Sequence, residues 1–422
     1  MILSNITVPM LGMVDTGVTG HLDSAVYLAA VAIGSTIFGF LYTGVNFLRM
    51  GTTGITAQRF GANDDSGLRV ALGQALVVST TIAVGLILLQ APLDAAAMRL
   101  IGPGAEVEAY ASQYFSIRIW SAPATLANYA LIGWFIGLQN ARVPLYIVLV
   151  INVTNIVLDL LFVLVLGMKV DGVAAASVIA EFAGVAAGAG FAAVELRHRG
   201  GHLHVSSLAS LAEYREFFAV NANLFVRTLA LMFAFAFITA AGARMGRLVL
   251  AANAVLLNLL HLLSFALDGL AHAAEALVGK ATGARDRMAL QRAVQLTMRW
   301  SLYFAIGFSV VFWISGAAFI RLLTDIPEVV ETALQYLPWM IVVPVIAFWA
   351  YLYDGVFVGA TRAREMRNSM VASTFLVFVP SWFAFRFLGN HGLWLAFMIF
   401  MASRGISMHW YYRRSVLPGV AE

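Results

Sequence analysis

The chain has 422 residues, of which 61% are hydrophobic and only 11% are charged. Soluble proteins contain about 45–50% apolar and about 25% charged residues, so no single water-soluble core can bury this much apolar surface. The net charge of +4 is scattered over short loops, which excludes the basic face that a nucleic-acid-binding protein presents. The absence of cysteine excludes disulfides, thiolate nucleophiles and cysteine metal sites.

Apolar runs separated by polar breaks predict an all-α integral membrane protein with twelve transmembrane helices. In chain order, these helices are predicted near residues 1–20, 25–57, 69–92, 108–138, 143–166, 172–195, 217–242, 248–281, 291–320, 330–360, 368–388 and 391–412. The long polar loop 197–216 divides them into two sets of six. We therefore predict an N-terminal lobe at residues 1–196, a cytoplasmic linker at 197–216 and a C-terminal lobe at 217–422.

The positions of Lys and Arg predict the orientation in the membrane. If the N-terminus lies in the cytoplasm, the loops on that side carry fifteen basic residues and the opposite loops carry six. Because cytoplasmic loops are enriched in Lys and Arg, both termini are expected in the cytoplasm. The other five basic residues lie within apolar runs: Arg49, Arg118, Arg227, Arg299 and Arg404.

The two halves of the chain repeat each other. Residues 61–142 align without a gap with residues 283–364, and this shift defines the offset of the repeat. GWFIGLQNAR (133–142) matches GVFVGATRAR (355–364), and GAND matches GARD. Since membrane composition alone does not place polar matches in one register, the repeat indicates duplication. Each half has six helices and thus the same orientation, a symmetry typical of transporters that move two bundles around a central site.

Acidic residues at bilayer depth are costly unless they face a cavity or a partner, which makes them functional candidates. Asp15 lies in predicted helix 1, and Asn152, Asn155 and Asp159 share one face of predicted helix 5 at spacings of three and four. A carboxyl group in a low dielectric retains its proton more readily than in water, and a neighbouring carboxylate strengthens this effect. Asp15 and Asp159 are therefore predicted to exchange protons. The alternative is an Asp that only packs helices through Asn.

A longer polar stripe follows one face of predicted helix 8. Its members are Asn258, His261, Ser264, Asp268, His272 and Glu275. Six polar positions on one face predict contact with water or with another polar helix, since lipid would leave them unsatisfied. For His261 and His272 the alternative is a structural, hydrogen-bonded histidine.

Arg227 lies in predicted helix 7, four residues after Asn223, and requires a counter-charge. Asp268, Glu275 or Asp354 could supply it, and the sequence alone does not choose among them. An internal ion pair and a direct role in transport both remain open for this group. Three further charged residues are expected to be structural partners or to reach the membrane interface: Arg49, Arg118 and Glu181.

Enzyme motifs are missing, because the sequence has no HExxH, GxSxG or GxxxxGK[ST]. No catalytic residue, metal site or cofactor is therefore predicted. Without a nucleotide-binding motif, uphill transport must draw on an ion gradient. A membrane-embedded transferase would need a clustered His/Asp or nucleophile motif and is therefore disfavoured. A structural or receptor protein would not require buried acids, and a thermal stability unaffected by pH or candidate ligands would support that alternative.

Five segments carry a family resemblance that extends from Met1 to about Arg414. They are NITVPMLGMVDTGVTGHLDS (5–24), FLRMGTTGITAQRFGA (47–62), NIVLD (155–159), FALDGLAHAAEALVG (265–279) and YDGVFVGATRAREMRNSM (353–370). The sequence resembles the multidrug and toxic compound extrusion (MATE) family, and most closely its bacterial DinF-type branch. This resemblance implies two six-helix lobes in a V shape, alternating access, and multidrug efflux across the bacterial inner membrane.

The resemblance also implies site residues. In that family an acid in helix 1 and an Asn-x-x-x-Asp in helix 5 form an N-lobe site for a cation or proton, and the matching positions here are Asp15, Asn155 and Asp159. Asp354 matches the location of a C-lobe acid in some relatives. The usual helix-7 glutamate is absent, and Arg227 stands in that helix instead. This departure favours protons over sodium as the coupling ion.

The combined prediction is a monomeric antiporter, surrounded by membrane lipids, that exports organic, cationic compounds in exchange for protons. Sodium is the alternative coupling ion, and no other cofactor is expected. Within transport, the alternative is a flippase for a lipid-linked or amphipathic substrate. Such a flippase should have a strongly basic central cavity, whereas the buried charge predicted here is six acids to five bases.

Overall fold

The structure, a computed structural model, describes residues 24–202, 208 and 214–420. Within these ranges the chain consists of helices joined by turns and short loops, and no strand occurs. The chain divides into two compact units, the first ending at Phe217 and the second beginning at Phe218. The predicted helix near residues 1–20, which contains Asp15, lies outside the described residues.

The described part of the N-terminal unit is built from eight α-helices and two shorter helical elements. The α-helices are α1 (Ala25–Val45), α2 (Phe47–Gly61), α3 (Asp65–Leu88), α4 (Gln90–Ile101), α5 (Ala105–Arg118), α6 (Ala122–Gly137), α7 (Arg142–Asp159) and α8 (Val170–His198). A 3₁₀ turn at Ile119–Ser121 joins α5 to α6, and a π-helix at Leu160–Val165 extends α7.

The C-terminal unit, described to residue 420, follows a similar plan. Its α-helices are α9 (Arg215–Arg244), α10 (Arg247–Gly283), α11 (Arg287–Leu323), α12 (Pro327–Gly359), α13 (Ala363–Ala372), α14 (Val379–Phe385) and α15 (Asn390–Tyr411). A π-helix at Ser373–Phe378 joins α13 to α14, and 3₁₀ residues Arg386–Leu388 follow α14. After α15 come a π-helix at Tyr412–Val416 and a 3₁₀ turn at Pro418–Val420.

Helix α4 is an element that the hydropathy pattern does not predict, because residues 93–107 are expected between two spans. With 12 residues it is too short to cross a bilayer, and Met98 is its one buried residue. Pro92 lies in its first turn, and Gly102, with φ 63°, ends it. A proline near the start and a glycine after the end are ordinary signals of helix termini. These residues indicate the helix, whereas its hydropathy does not.

Most of the described helices match a membrane environment. Nine helical segments in the described ranges are long and apolar enough to cross a bilayer. The positions of predicted helices 4 and 12 are occupied by α5–α6 and by α15. Many large apolar side chains are exposed, among them Leu88 (76%) and Leu376 (74%). A protein surrounded by water would not leave so many of them uncovered.

The internal repeat is visible at two close contacts between helices. A Cβ atom on Gly133 of α6 would lie 2.5 Å from the backbone oxygen of Arg49 in α2. A Cβ atom on Gly355 of α12 would lie 2.2 Å from the backbone oxygen of Ala271 in α10. Both the glycines and their neighbours are related by the offset of the repeat. The same backbone-to-backbone contact is therefore present in each unit.

Turn conformations repeat at the same offset. Non-glycine residues with a left-handed backbone occur at four described positions, which form two pairs related by the repeat: Asn63 with Arg285, and Gln139 with Thr361. The N-caps also correspond, because Asp64 accepts a hydrogen bond from the backbone of Gly67 and Asp286 from that of Ala289. Since side chains this different keep rare backbone angles in register, the structure confirms the duplication.

Arg69, at the start of α3, fastens the C-terminal end of α8. Its Nη2 donates to the backbone oxygens of Leu196 (2.5 Å) and Arg199 (2.9 Å), and its Nε donates to that of Gly200 (3.1 Å). The last carbonyl groups of a helix lack partners within the helix, so this arginine serves as a side-chain cap. In the sequence Arg69 is visible only as one basic residue at a predicted helix end.

Candidate functional site

The polar stripe predicted for helix 5 lies on α7 and is buried. Asn152 is 8% exposed, and Asn155 and Asp159 are fully buried. Asn155 Nδ2 donates to Ser177 Oγ of α8 over 3.2 Å. The stripe therefore faces α8 instead of lipid. Ser177 is a member of this polar face that the sequence analysis missed, because a lone serine in an apolar run gives no signal of its own.

The helix type changes from α to π directly after Asp159. It is the last residue of α7, and the chain continues as a π-helix from Leu160 to Val165. Short π-helical segments occur frequently at functional sites, where they alter the face on which following side chains lie. The polar face of α7 thus ends at its acidic residue. The predicted pairing of Asp159 with Asp15 stays a prediction, since Asp15 lies outside the described residues.

A second polar cluster surrounds Glu181, one turn after Ser177 on α8. Asn128 Nδ2 of α6 donates to Glu181 Oε2 and to the Glu181 backbone oxygen, each over 2.9 Å. Arg118 Nη2, at the end of α5, lies 3.8 Å from Glu181 Oε1. The side chains of Arg118 and Glu181 are 11% and 13% exposed. Of the two alternatives for these residues, the structure shows structural partners, because the two side chains are largely buried against each other.

In the C-terminal unit, Asp354 of α12 lies between two arginines. Arg404 Nη2 of α15 donates to Asp354 Oδ2 over 2.9 Å, and Arg227 Nη2 of α9 donates to the same oxygen. All three residues are buried. Of the three acids considered for Arg227, the structure pairs it with Asp354. Two guanidinium groups on one carboxylate give this triad (Arg227, Asp354 and Arg404) a net charge of +1.

Arg404 is the member of the triad that the sequence did not connect to Arg227 and Asp354. Its exposed fraction is 1%, and its guanidinium lies 5.5 Å from the centroid of the Phe400 ring. Arg299, another arginine within an apolar run, is exposed. The sequence signal was the central position of Arg404 in its helix, from which its side chain cannot reach the interface and must find an internal partner.

The stripe predicted for helix 8 follows α10, and its exposure falls along the helix. Asn258 and His261 are exposed, the next three residues are half-buried, and Glu275 is buried. Those three are Ser264, Asp268 and His272. One end of the stripe is therefore exposed and the other end is buried in the protein. His261 lies beside Phe235, with 6.1 Å between ring centroids and a tilt of 40° between the rings.

Tyr351 links the middle of this stripe to the triad. Its hydroxyl lies 2.6 Å from Ser264 Oγ. The charges of Asp268, Asp354 and Arg404 also act on this tyrosine through space. Asp268 and the triad thus belong to one polar region. Within the described ranges, no three His, Asp or Glu side chains come together as a metal site would require.

Comparison with known proteins identifies the family. The family model described as MatE matches residues 1–161 and 224–383, more than half of the chain. The chain belongs to the MATE family. The DNA damage-inducible protein F of Escherichia coli (strain K12) is 43% identical to this MATE protein over 414 residues, with 98% of this chain and 90% of the relative covered. Protein DETOXIFICATION 44, chloroplastic, of Arabidopsis thaliana is 26% identical, with 95% and 78% covered.

A solved structure supports the same MATE fold. A crystal structure of MATE in the bent conformation superimposes with a TM-score of 0.89 at 19% identity, covering 100% of this chain and 94% of that one. The prediction of an all-α, multi-pass MATE protein of the DinF-type branch is confirmed. Members of this family are transporters, so the protein is a membrane transporter and not an enzyme.

Proposed function

We propose that this MATE transporter is a proton-coupled antiporter that exports organic cations by alternating access. The observation that carries the proposal is the position of Asp159, which is fully buried on a polar face shared with Asn155 and Ser177. Antiport needs one group that is stable both with a proton and next to a cation. A carboxyl group withdrawn from water meets this need, because its charged form requires a nearby cation or polar donors.

The cycle follows from this requirement. Protons from the outer compartment neutralise Asp159 and Asp15, so the N-terminal unit loses its attraction for a cationic cargo and the cargo leaves. Release of the protons to the cytoplasm restores the negative charge and the affinity for a new cargo. Sodium ions would act through the same carboxylates if they replace protons.

Efflux from proteoliposomes tests this proposal. Tetraphenylphosphonium efflux is measured under an imposed pH gradient, with and without sodium, for the wild type, D159N and D15N. Asparagine keeps the size of the side chain and removes its proton chemistry, so both variants should lose gradient-driven efflux. E106Q is the matched control, because Glu106 is an exposed carboxylate in the first turn of α5. Wild-type efflux by D159N, or efflux driven by sodium alone, would contradict proton coupling through this site.

We also propose that the transporter is a monomer in the bacterial inner membrane with both termini in the cytoplasm. The excess of basic residues on one set of loops supports this orientation. No cofactor besides the coupling ion is involved. A green fluorescent protein fused to the C-terminus should fluoresce, because that reporter matures in the cytoplasm and not outside the inner membrane.

A further inference from the structure

The N-terminal unit already contains an organic cation bound against a carboxylate, namely the guanidinium group of Arg118. Its Nη2 lies 3.8 Å from Glu181 Oε1. Its Cζ lies 5.8 Å from the centroid of the Phe38 ring and 5.9 Å from that of Tyr42. A carboxylate combined with aromatic rings is the arrangement by which proteins bind cationic head groups. Because water is largely excluded, each of these attractions is stronger than at a surface.

The cluster has an acceptor that Arg118 does not use. Asn128 is 2% exposed, its Nδ2 is committed to Glu181, and its Oδ1 is buried without a hydrogen-bond partner among the described residues. A charge-assisted N–H to carboxylate bond is about 2.7–2.9 Å long, so the 3.8 Å between Arg118 and Glu181 is an incomplete contact. A planar guanidinium carries five N–H donors in a fixed fork. A cargo with such a head could donate to Glu181 and Asn128 together.

Arg118 is also placed where the helix can bend. It is the last residue of α5, followed by the 3₁₀ turn Ile119–Ser121 and by Pro123 in the first turn of α6. The hydroxyl group of Tyr42 lies 2.8 Å from Ser121 Oγ in that turn. A 3₁₀ stretch within a long helix often marks a hinge. Arg118 can therefore withdraw from Glu181 while α8 keeps its position.

We propose that Arg118 is an internal substitute for the cargo. Glu181, Asn128, Phe38 and Tyr42 form a subsite for the planar, guanidinium-like head of an organic cation. The cargo head displaces Arg118, which moves at the 3₁₀ turn, and the return of Arg118 competes with the cargo and promotes its release. The proposal rests on the proposed function for transport and adds to it the chemical class of the cargo.

Binding measurements on the purified full-length protein test this competition. Phenylguanidinium is titrated calorimetrically into the wild type, E181Q and R118Q. Loss of the carboxylate should weaken binding about tenfold, whereas loss of the competing guanidinium should tighten it about tenfold. Tetraethylammonium has the same charge but no N–H donor, so N128L should weaken phenylguanidinium binding and leave tetraethylammonium binding unchanged. E195Q is the matched control, because Glu195 also lies on α8 and pairs with Arg199 at 2.7 Å.

Tighter binding by R118Q is the outcome that a purely structural ion pair does not produce. Unchanged or weaker binding by folded R118Q overturns the proposal. If R118Q fails to fold, hydrogen exchange of the wild type decides. Phenylguanidinium should speed exchange of the backbone amides at residues 119–121, and unchanged or slower exchange there refutes the displacement of Arg118.

The D159N variant separates this proposal from the proposed function. If D159N loses gradient-driven efflux and R118Q does not bind more tightly, proton coupling stands and the subsite fails. If D159N transports like the wild type and R118Q binds more tightly, the subsite stands and proton coupling through Asp159 fails.

Discussion

Replacing Asp354 with asparagine tests the triad most directly. Oδ2 of this carboxylate accepts a hydrogen bond from Arg227 and another from Arg404, and all three residues are at most 8% exposed. With Asp354 ionised, the triad carries one net positive charge. D354N raises this charge to two and removes the carboxylate to which both arginines donate. R227Q lowers the charge to zero and leaves one complete arginine–carboxylate pair.

The expected losses differ because of this asymmetry. Removing one partner of a buried ion pair costs about 3–5 kcal/mol, since an uncompensated charge is left behind. D354N removes the shared carboxylate from two arginines at once, so its free energy of unfolding should fall by at least that amount. R227Q keeps Arg404 at 2.9 Å from Asp354, and its loss should be limited to about 1.5–3 kcal/mol, the contribution of one hydrogen bond to a charged group.

Unfolding in mixed micelles provides the assay. Sodium dodecyl sulfate is titrated into purified protein while tryptophan fluorescence reports the folded fraction. D325N is the control, because Asp325 is an exposed residue in the loop before α12. A loss of unfolding free energy for D354N that is smaller than the loss for R227Q would refute the charge reasoning.

Two further predictions concern packing and capping. Gly359→Ala places a Cβ atom 2.4 Å from the backbone oxygen of Glu275, and such overpacking should lower the unfolding free energy by about 1–3 kcal/mol. Gly39→Ala, where nothing lies within 4 Å, should instead stabilise by about 0.5–1 kcal/mol, and equal effects of the two substitutions would argue against close helix contact. Arg69→Gln removes the side-chain cap of α8, so hydrogen exchange at residues 196–200 should accelerate. If exchange at these residues stayed at the wild-type rate, the hydrogen bonds of Arg69 would not stabilise the end of α8.

Helix positions were largely predictable because apolar runs and polar breaks alternate over the whole chain. The helices predicted at 172–195 and 217–242 correspond to α8 (Val170–His198) and α9 (Arg215–Arg244), each end within about three residues. Helix α4 was missed because a search for bilayer-length apolar runs ignores a short helix between two spans. The interruption of predicted helix 4 at Ile119–Ser121 was also missed, since a change of helix type leaves the hydropathy unchanged.

The candidate site was predictable only where its residues share one helix. Helical periodicity alone places Asn152, Asn155 and Asp159 on one face, and the structure buries that face. The bond between Asp354 and Arg404 joins residues 50 positions apart, and it depends on how α12 packs against α15. Sequence spacing carries no information on that packing.

The repeated backbone has a consequence for how the two halves came to differ. Tyr129 and Tyr351 are equivalent positions of the repeat, and charged side chains of the same unit act on each of them through space. The two copies diverge at nearby positions, since Asn128 corresponds to Ala350 and Ile132 corresponds to Asp354. The ancestral bundle thus supplied one architecture twice, while a few exchanges gave each copy its own electrostatic character. Backbone packing and local charge are therefore set at separate positions, and substitutions can change the charge without disturbing the packing.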